Sequence, residues 1–116
     1  MIPMRDGVHL YTAVYAPVDR GEKHPFLLTR TPYSCKPYGV PFFKEALWDS
    51  YLYEYLKEEY IYVVQDVRGE WKSEGEFENV RPFIAQKQNN RDIDEASDAY
   101  DTVEWLVKIY LIIMVV

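Results

Sequence analysis

Hydrophobic and polar positions along the chain change period several times. Residues 8–16, "VHLYTAVYA", alternate and are rich in β-branched and aromatic types, which predicts a strand. "MRDG" before it supplies a turn. "PVDRGEKHP", 17–25, carries Pro at both ends and Gly21 inside, and reads as a hairpin-like connection to a second strand, "FLLTR", 26–30. Residues 41–58, "PFFKEALWDSYLYEYLKE", carry helical spacing, with Pro41 suited to a first helical position. "YIYVVQ", 60–65, is a continuous apolar run, the pattern of a strand covered on both faces. "DVRGEWKSEGEFENV", 66–80, holds two glycines among many charges and predicts a loop.

Residues 92–108 give the clearest helical pattern. Ile93, Ala96, Tyr100, Val103 and Val107 fall on one stripe, which predicts the packed face. Asp92, Asp94 and Glu95 lie in the first turn and Lys108 in the last, as the helix dipole favours. The apolar "IYLIIMVV", 109–116, stands where a next parallel strand would follow. The order of elements predicts an α/β fold: a mixed sheet with antiparallel first strands and flanking helices.

Composition narrows the function. The chain has 116 residues, enough for one modest core, and 48% are hydrophobic. Eleven Tyr and three Trp supply large side chains with polar tips. A net charge of -6 argues against a nucleic-acid partner and against an anionic membrane surface. No apolar leader is visible near Met1, and the run 109–116 is far shorter than the roughly 20 residues a bilayer-spanning helix needs. The single Cys35 allows no internal disulfide and is compatible with a reducing compartment; a cytoplasmic location is the expectation.

The second strand ends in an unusual way. In "LLTRTPYSCKPYG", 27–39, a core run stops on Arg30, Thr31, Pro32 and Tyr33. Pro32 holds Thr31 in extended geometry and fixes the exit of the strand. Tyr33 then either packs its ring or presents its phenol.

The residues carry a family resemblance. "MRDGVHLYTAVYAP", "HPFLLTRTPYS" and "YIYVVQDVRGEWKSEGEF" together resemble the start of the X-Pro dipeptidyl-peptidase/cocaine esterase-like acyl hydrolases, which include α-amino acid ester hydrolases and glutaryl-cephalosporanate acylases. "DIDEASDAYDTVEWLVK" resembles the helix just before that family's nucleophile strand. The resemblance covers roughly residues 4–108, and 1–108 is read from it as a partial α/β-hydrolase domain. Residues 109–116 depart from the family pattern. It implies an α/β-hydrolase fold, a Ser-His-Asp triad with the Ser in a G-x-S-Y-x-G elbow, and a Tyr hydroxyl in the oxyanion hole. Carried over by its Pro-Tyr, that Tyr is Tyr33.

The rest of that machinery is not in this sequence. No G-x-S-x-G occurs. Ser34, Ser50, Ser73 and Ser97 fall in loops or predicted helices, and His9 and His24 are both early in the chain. The expectation is the N-terminal part of a serine hydrolase acting on small ester, amide or peptide substrates, inactive by itself. The alternative is a non-catalytic α/β unit that self-associates into a homo-oligomer through an exposed sheet edge, with 109–116 adding as a strand.

Other candidates have plainer readings. Asp66 and Arg68 organise the end of a strand rather than form a site. Glu74 and Glu76 could meet a substrate ammonium, or belong to a solvated loop anchored by Phe77. Cys35 with a histidine lacks a nucleophile signature. One Cys and two distant His give no metal-ligand spacing, so neither a metal nor a cofactor is expected.

Overall fold

The computed structural model describes residues 1–16, 24–34 and 60–114. In chain order these form β1 (Ile2–Pro3), β2 (His9–Leu10), β3 (Thr12–Tyr15), β4 (Phe26–Thr31), β5 (Ile61–Asp66) and α1 (Glu95–Met114). The helix predicted over 41–58 and residue Cys35 lie outside the described residues.

β5 is the centre of a three-stranded sheet, ordered β3-β5-β4. β3 pairs with it antiparallel and β4 pairs with it parallel, so the sheet is mixed, as the element order predicts. All six residues of β5 are buried. Its alternating side chains enter two cores, as strand geometry requires. Ile61 and Val63 pack with Ile2, Met4, Leu10 and Leu106 on one face. Tyr62 and Val64 pack with Tyr11, Ala13, Tyr15 and Leu27 on the other. The continuous apolar run is therefore two half-patterns superposed.

Two strand readings change. The stretch 8–16 is not one strand: β2 pairs with β1, and β3 pairs with β5. Tyr11 is the joint. Its N–H donates to Ser73 Oγ at 2.8 Å, and its carbonyl accepts from the Asp66 N–H at 3.0 Å. Nor are β3 and β4 a hairpin, because β5 lies between them and offers both of them its ladder bonds.

The C-terminal helix changes more. It starts at Glu95 and runs on to Met114, so 109–114 is helix and not a further strand. No Gly or Pro interrupts residues 95–114, and nothing local stops the helix at Lys108. The last turn accordingly carries no basic residue. The expected packed stripe is also displaced. Ala96, Tyr100, Val103 and Val107 are exposed, and Ile93 precedes the helix and is half-buried. The inner face carries Ser97, Asp98, Thr102 and Leu106 instead. Those polar residues tolerate burial because each is hydrogen-bonded. Thr102 Oγ1 donates to the Asp98 carbonyl at 2.7 Å and accepts from Gln65 Nε2 at 2.9 Å, which ties the helix to the middle strand. Arg5 closes the same side, its guanidinium donating to both Asp101 carboxylate oxygens.

Asp94 caps the helix. The Ser97 N–H donates to Asp94 Oδ1 at 2.7 Å, and the Asp94 N–H donates back to Ser97 Oγ at 2.9 Å, a capping box with Ser in the return position. Asp94 Oδ2 also accepts from the Ile84 N–H and from Lys87 Nζ, which anchors the long connection from β5. Among the described residues, no helix is long and apolar enough to cross a membrane.

Candidate active site at the ends of the parallel strands

β4 and β5 run parallel in register, Thr31 opposite Asp66, so both release their chains at the same level. The carboxyl ends of parallel strands are where open α/β sheets place their ligands. Two loops therefore meet here: 32–34 after β4 and 67–80 after β5.

Arg30 shows how the end of β4 is held. Its side chain donates from Nε to Gln65 Oε1 at 2.8 Å and from Nη1 to Glu95 Oε2 at 2.5 Å. It crosses from β4 over β5 to the start of α1. The next residue, Thr31, accepts from the Val67 N–H at 3.0 Å through its carbonyl. Its hydroxyl Oγ1 accepts from the Tyr33 N–H at 3.0 Å. The Pro32 carbonyl accepts from Trp71 Nε1 at 2.9 Å, across 39 positions of sequence. Ser34 then takes a left-handed φ of 85°, uncommon for a residue with a side chain. The Tyr33 side chain leaves this anchored turn 85% exposed. Its ring is not a packing element; the phenol is presented to the outside of the described structure.

The exit of β5 is built the opposite way. Asp66 is fully buried; its Oδ2 accepts from the Lys72 N–H at 3.2 Å, and its carbonyl accepts from the Ser73 hydroxyl at 2.6 Å. Arg68, 4% exposed, donates to Asp98 from Nε at 3.0 Å and Nη2 at 2.7 Å, and to Asp6 from Nη1 at 2.7 Å and Nη2 at 3.2 Å. Burial opposes its charge, but the carboxylates of Asp98 and Asp6 outweigh that and hold the guanidinium above its ordinary pKa. Gly69 has a φ of 77°, and a Cβ there would stand 2.0 Å from the Phe77 nitrogen, so the turn after Arg68 requires glycine. Asp66 and Arg68 thus organise the strand end, as their sequence context suggests.

In the acidic loop, Glu74 is taken up by His9. Glu74 accepts from the His9 N–H at 2.7 Å and lies 3.0 Å from the His9 ring. Those two bonds hold its carboxyl below the usual range. Phe77, expected to anchor the loop, is 45% exposed. Ser73 and Ser97 spend their hydroxyls on backbone carbonyls. Among the described residues no group of His, Cys, Asp and Glu could hold a metal ion. Sequence reasoning passed over Trp71; its one signal is a bulky aromatic inside an otherwise polar turn, "GEWKSEG".

A mixed sheet with a helix packed against it defines the class as an α/β fold. The chain belongs to the X-Pro dipeptidyl-peptidase (S15) family, whose model matches residues 6–110. It is 34% identical over 108 residues to the cocaine esterase of Rhodococcus sp. (strain MB1 Bresler), a match that covers 93% of this chain and 16% of that protein. Two solved structures superpose with a TM-score of 0.72 over 93% of the chain. One is an aminopeptidase from a marine sediment Thaumarchaeota archaeon, at 36% identity. The other is a selenomethionine-labelled α-amino acid ester hydrolase, at 38% identity. The chain spans 18% of each of those two.

Proposed function

We propose that this chain forms the N-terminal part of the sheet of a serine hydrolase that cleaves ester or amide bonds in small substrates, with Tyr33 as an oxyanion donor. The observation that carries this is the exit of β4: a Pro-Tyr at the mouth of two parallel strands, its backbone anchored and its tyrosine 85% exposed. The names of its relatives, an esterase, an ester hydrolase and an aminopeptidase, support acyl chemistry on ester and peptide bonds.

In that chemistry a serine oxygen bonds to the acyl carbon, a histidine takes the serine proton, and the carbonyl π pair moves onto oxygen. The Tyr33 O–H would donate to this oxygen as its charge develops, where a preorganised donor contributes most. The nucleophile and base would come from sequence beyond these 116 residues, since no G-x-S-x-G occurs in them. The 116-residue chain should therefore give no turnover of p-nitrophenyl esters and no labelling by a fluorophosphonate. In the full-length protein Tyr33→Phe should lower kcat by about 10²- to 10³-fold, the usual cost of one oxyanion donor. Stoichiometric labelling of the short chain, abolished by replacing one of Ser34, Ser50, Ser73 or Ser97, would overturn the reading.

A second reading, self-association through a sheet edge, keeps one supporting observation. Among the described residues β3 and β4 each pair on one side only. Size-exclusion chromatography tests it: a concentration-independent monomer would end it.

A further inference from the structure

We propose that Trp71 is a positioning residue for Tyr33. It acts through the Pro32–Tyr33 peptide, both of whose polar atoms are pinned. The carbonyl oxygen accepts from Trp71 Nε1 at 2.9 Å, and the N–H donates to Thr31 Oγ1 at 3.0 Å. A peptide unit is planar, so hydrogen bonds at both its oxygen and its N–H restrict the orientation of the whole unit. That unit places the Tyr33 Cα, and with it the point from which the side chain leaves the loop. The inference rests on the reading of Tyr33 as an oxyanion donor, and it concerns a different residue on a different loop.

Three features separate Trp71 from an ordinary surface aromatic. It is 55% exposed, so core burial does not account for its place. Its backbone is left-handed, with a φ of 50°, a conformation a bulky residue adopts only where its surroundings impose it. Those surroundings are visible. The Glu70 N–H donates to the Val67 carbonyl at 3.1 Å, the Ser73 N–H to the Glu70 carbonyl at 3.0 Å and the Lys72 N–H to Asp66 Oδ2 at 3.2 Å. The turn that carries the indole is thereby bolted to the buried end of β5, and the indole carries that rigidity to the exposed end of β4. Ser34, directly after Tyr33, is also left-handed.

A donor held on a loop loses catalytic value when the loop wanders, because transition-state bonds demand geometry finer than 1 Å. The test uses the full-length protein and a p-nitrophenyl ester. It compares wild type, Tyr33→Phe, Trp71→Phe and the double variant, with kcat and KM measured separately. Trp71→Phe keeps an aromatic ring and removes the N–H. It should lower kcat by about 3- to 10-fold, the worth of one net hydrogen bond, with KM within about twofold and the melting temperature unchanged. On the Tyr33→Phe background it should lower kcat no further, since it acts only through the phenol. Thr31→Val, which removes the other anchor, should reproduce the fall, and Thr31→Ser should not. A Trp71→Phe that is silent, or that multiplies fully with Tyr33→Phe, overturns the positioning role and leaves the oxyanion reading standing. A silent Tyr33→Phe overturns the oxyanion reading itself, and the positioning role with it.

Discussion

β4 and β5 lie side by side, parallel and in register, yet their ends are built on opposite principles. Where β5 stops, everything is buried and satisfied: Asp66 is inaccessible, and Arg68 sits between Asp6 and Asp98 at bonding distance. Where β4 stops, the chain turns outward and Tyr33 is 85% exposed. Charge concentrated at the first end makes a rigid platform. At the second, Arg30 is tied back to Glu95 while the residues beyond it turn outward, which leaves a tyrosine on the surface. A buried ion pair is weak evidence of function, and here its geometry explains it as scaffold.

Of the changes at the two strand ends, the largest loss of stability should come from breaking the platform. Arg68→Ala would strip the half-buried Asp6 of its guanidinium and leave the buried Asp98 with only the longer 3.7 Å pair to Arg30. Removing one partner of such a group costs about 3–5 kcal/mol. Urea denaturation should show a loss of that size, accompanied by loss of order in 67–80. A cost under about 1 kcal/mol would erase the contrast between the two ends.

Tyr33→Phe sharpens the contrast from the other side. The substitution removes one exposed hydroxyl, so stability should change by less than about 0.5 kcal/mol. The turnover of the full-length protein should nevertheless fall as stated above. A variant that melts well below wild type would mean that the phenol belongs to the scaffold after all.

Next in size is Asp94, which holds α1 and the connection behind it. Burial raises its carboxyl pKa, but bonds from the Ile84 N–H, Lys87 and the Ser97 N–H outweigh that and hold it well below the ordinary carboxylate range. Asp101 is lowered in the same sense: burial raises it, and Arg5 more than compensates. As both groups are more acidic folded than unfolded, the unfolded chain binds protons first as pH falls below about 4. Their stabilisation is therefore complete above that pH and is lost as pH falls through the lower folded values. Asp94→Ala should cost about 0.5–2 kcal/mol at neutral pH through the lost cap. Asp94→Asn should keep the cap and flatten the acid limb of the stability profile, and an unflattened limb would exclude Asp94 as its source.

The same residue marks the boundary of what the sequence discloses. β4 and β5 were legible because a sheet core is apolar and its strands carry the pattern openly. The Pro-Tyr exit was legible because proline constrains its neighbours locally. The packed face of α1 was not, because it is polar. Asp98, Ser97 and Thr102 are buried against Arg68, backbone and Gln65, partners distant in sequence, so a search for an apolar stripe selects the wrong side of the helix. Trp71 escaped for a related reason: its bond to Pro32 exists only once the two strand ends are side by side.

The smallest effect tests that correction. Read from the sequence, Val103 lies on the packed face, and an aspartate there would bury an unpaired charge and unfold the domain. In the structure Val103 is 46% exposed, while Leu106, three positions on, is 1% exposed in the core with Ile61 and Val63. Aspartate and valine have similar helix propensities, and no acidic residue stands three or four positions from 103. Val103→Asp should therefore change stability by no more than about 0.5 kcal/mol. Leu106→Asp should prevent folding, because its carboxylate would meet only apolar neighbours. The pair is read by circular dichroism melts of the 116-residue chain. Equal melting temperatures for the two variants would mean that α1 is rotated about its axis from the arrangement described. A native-like Val103→Asp beside an unfolded Leu106→Asp would fix its polar face against the sheet.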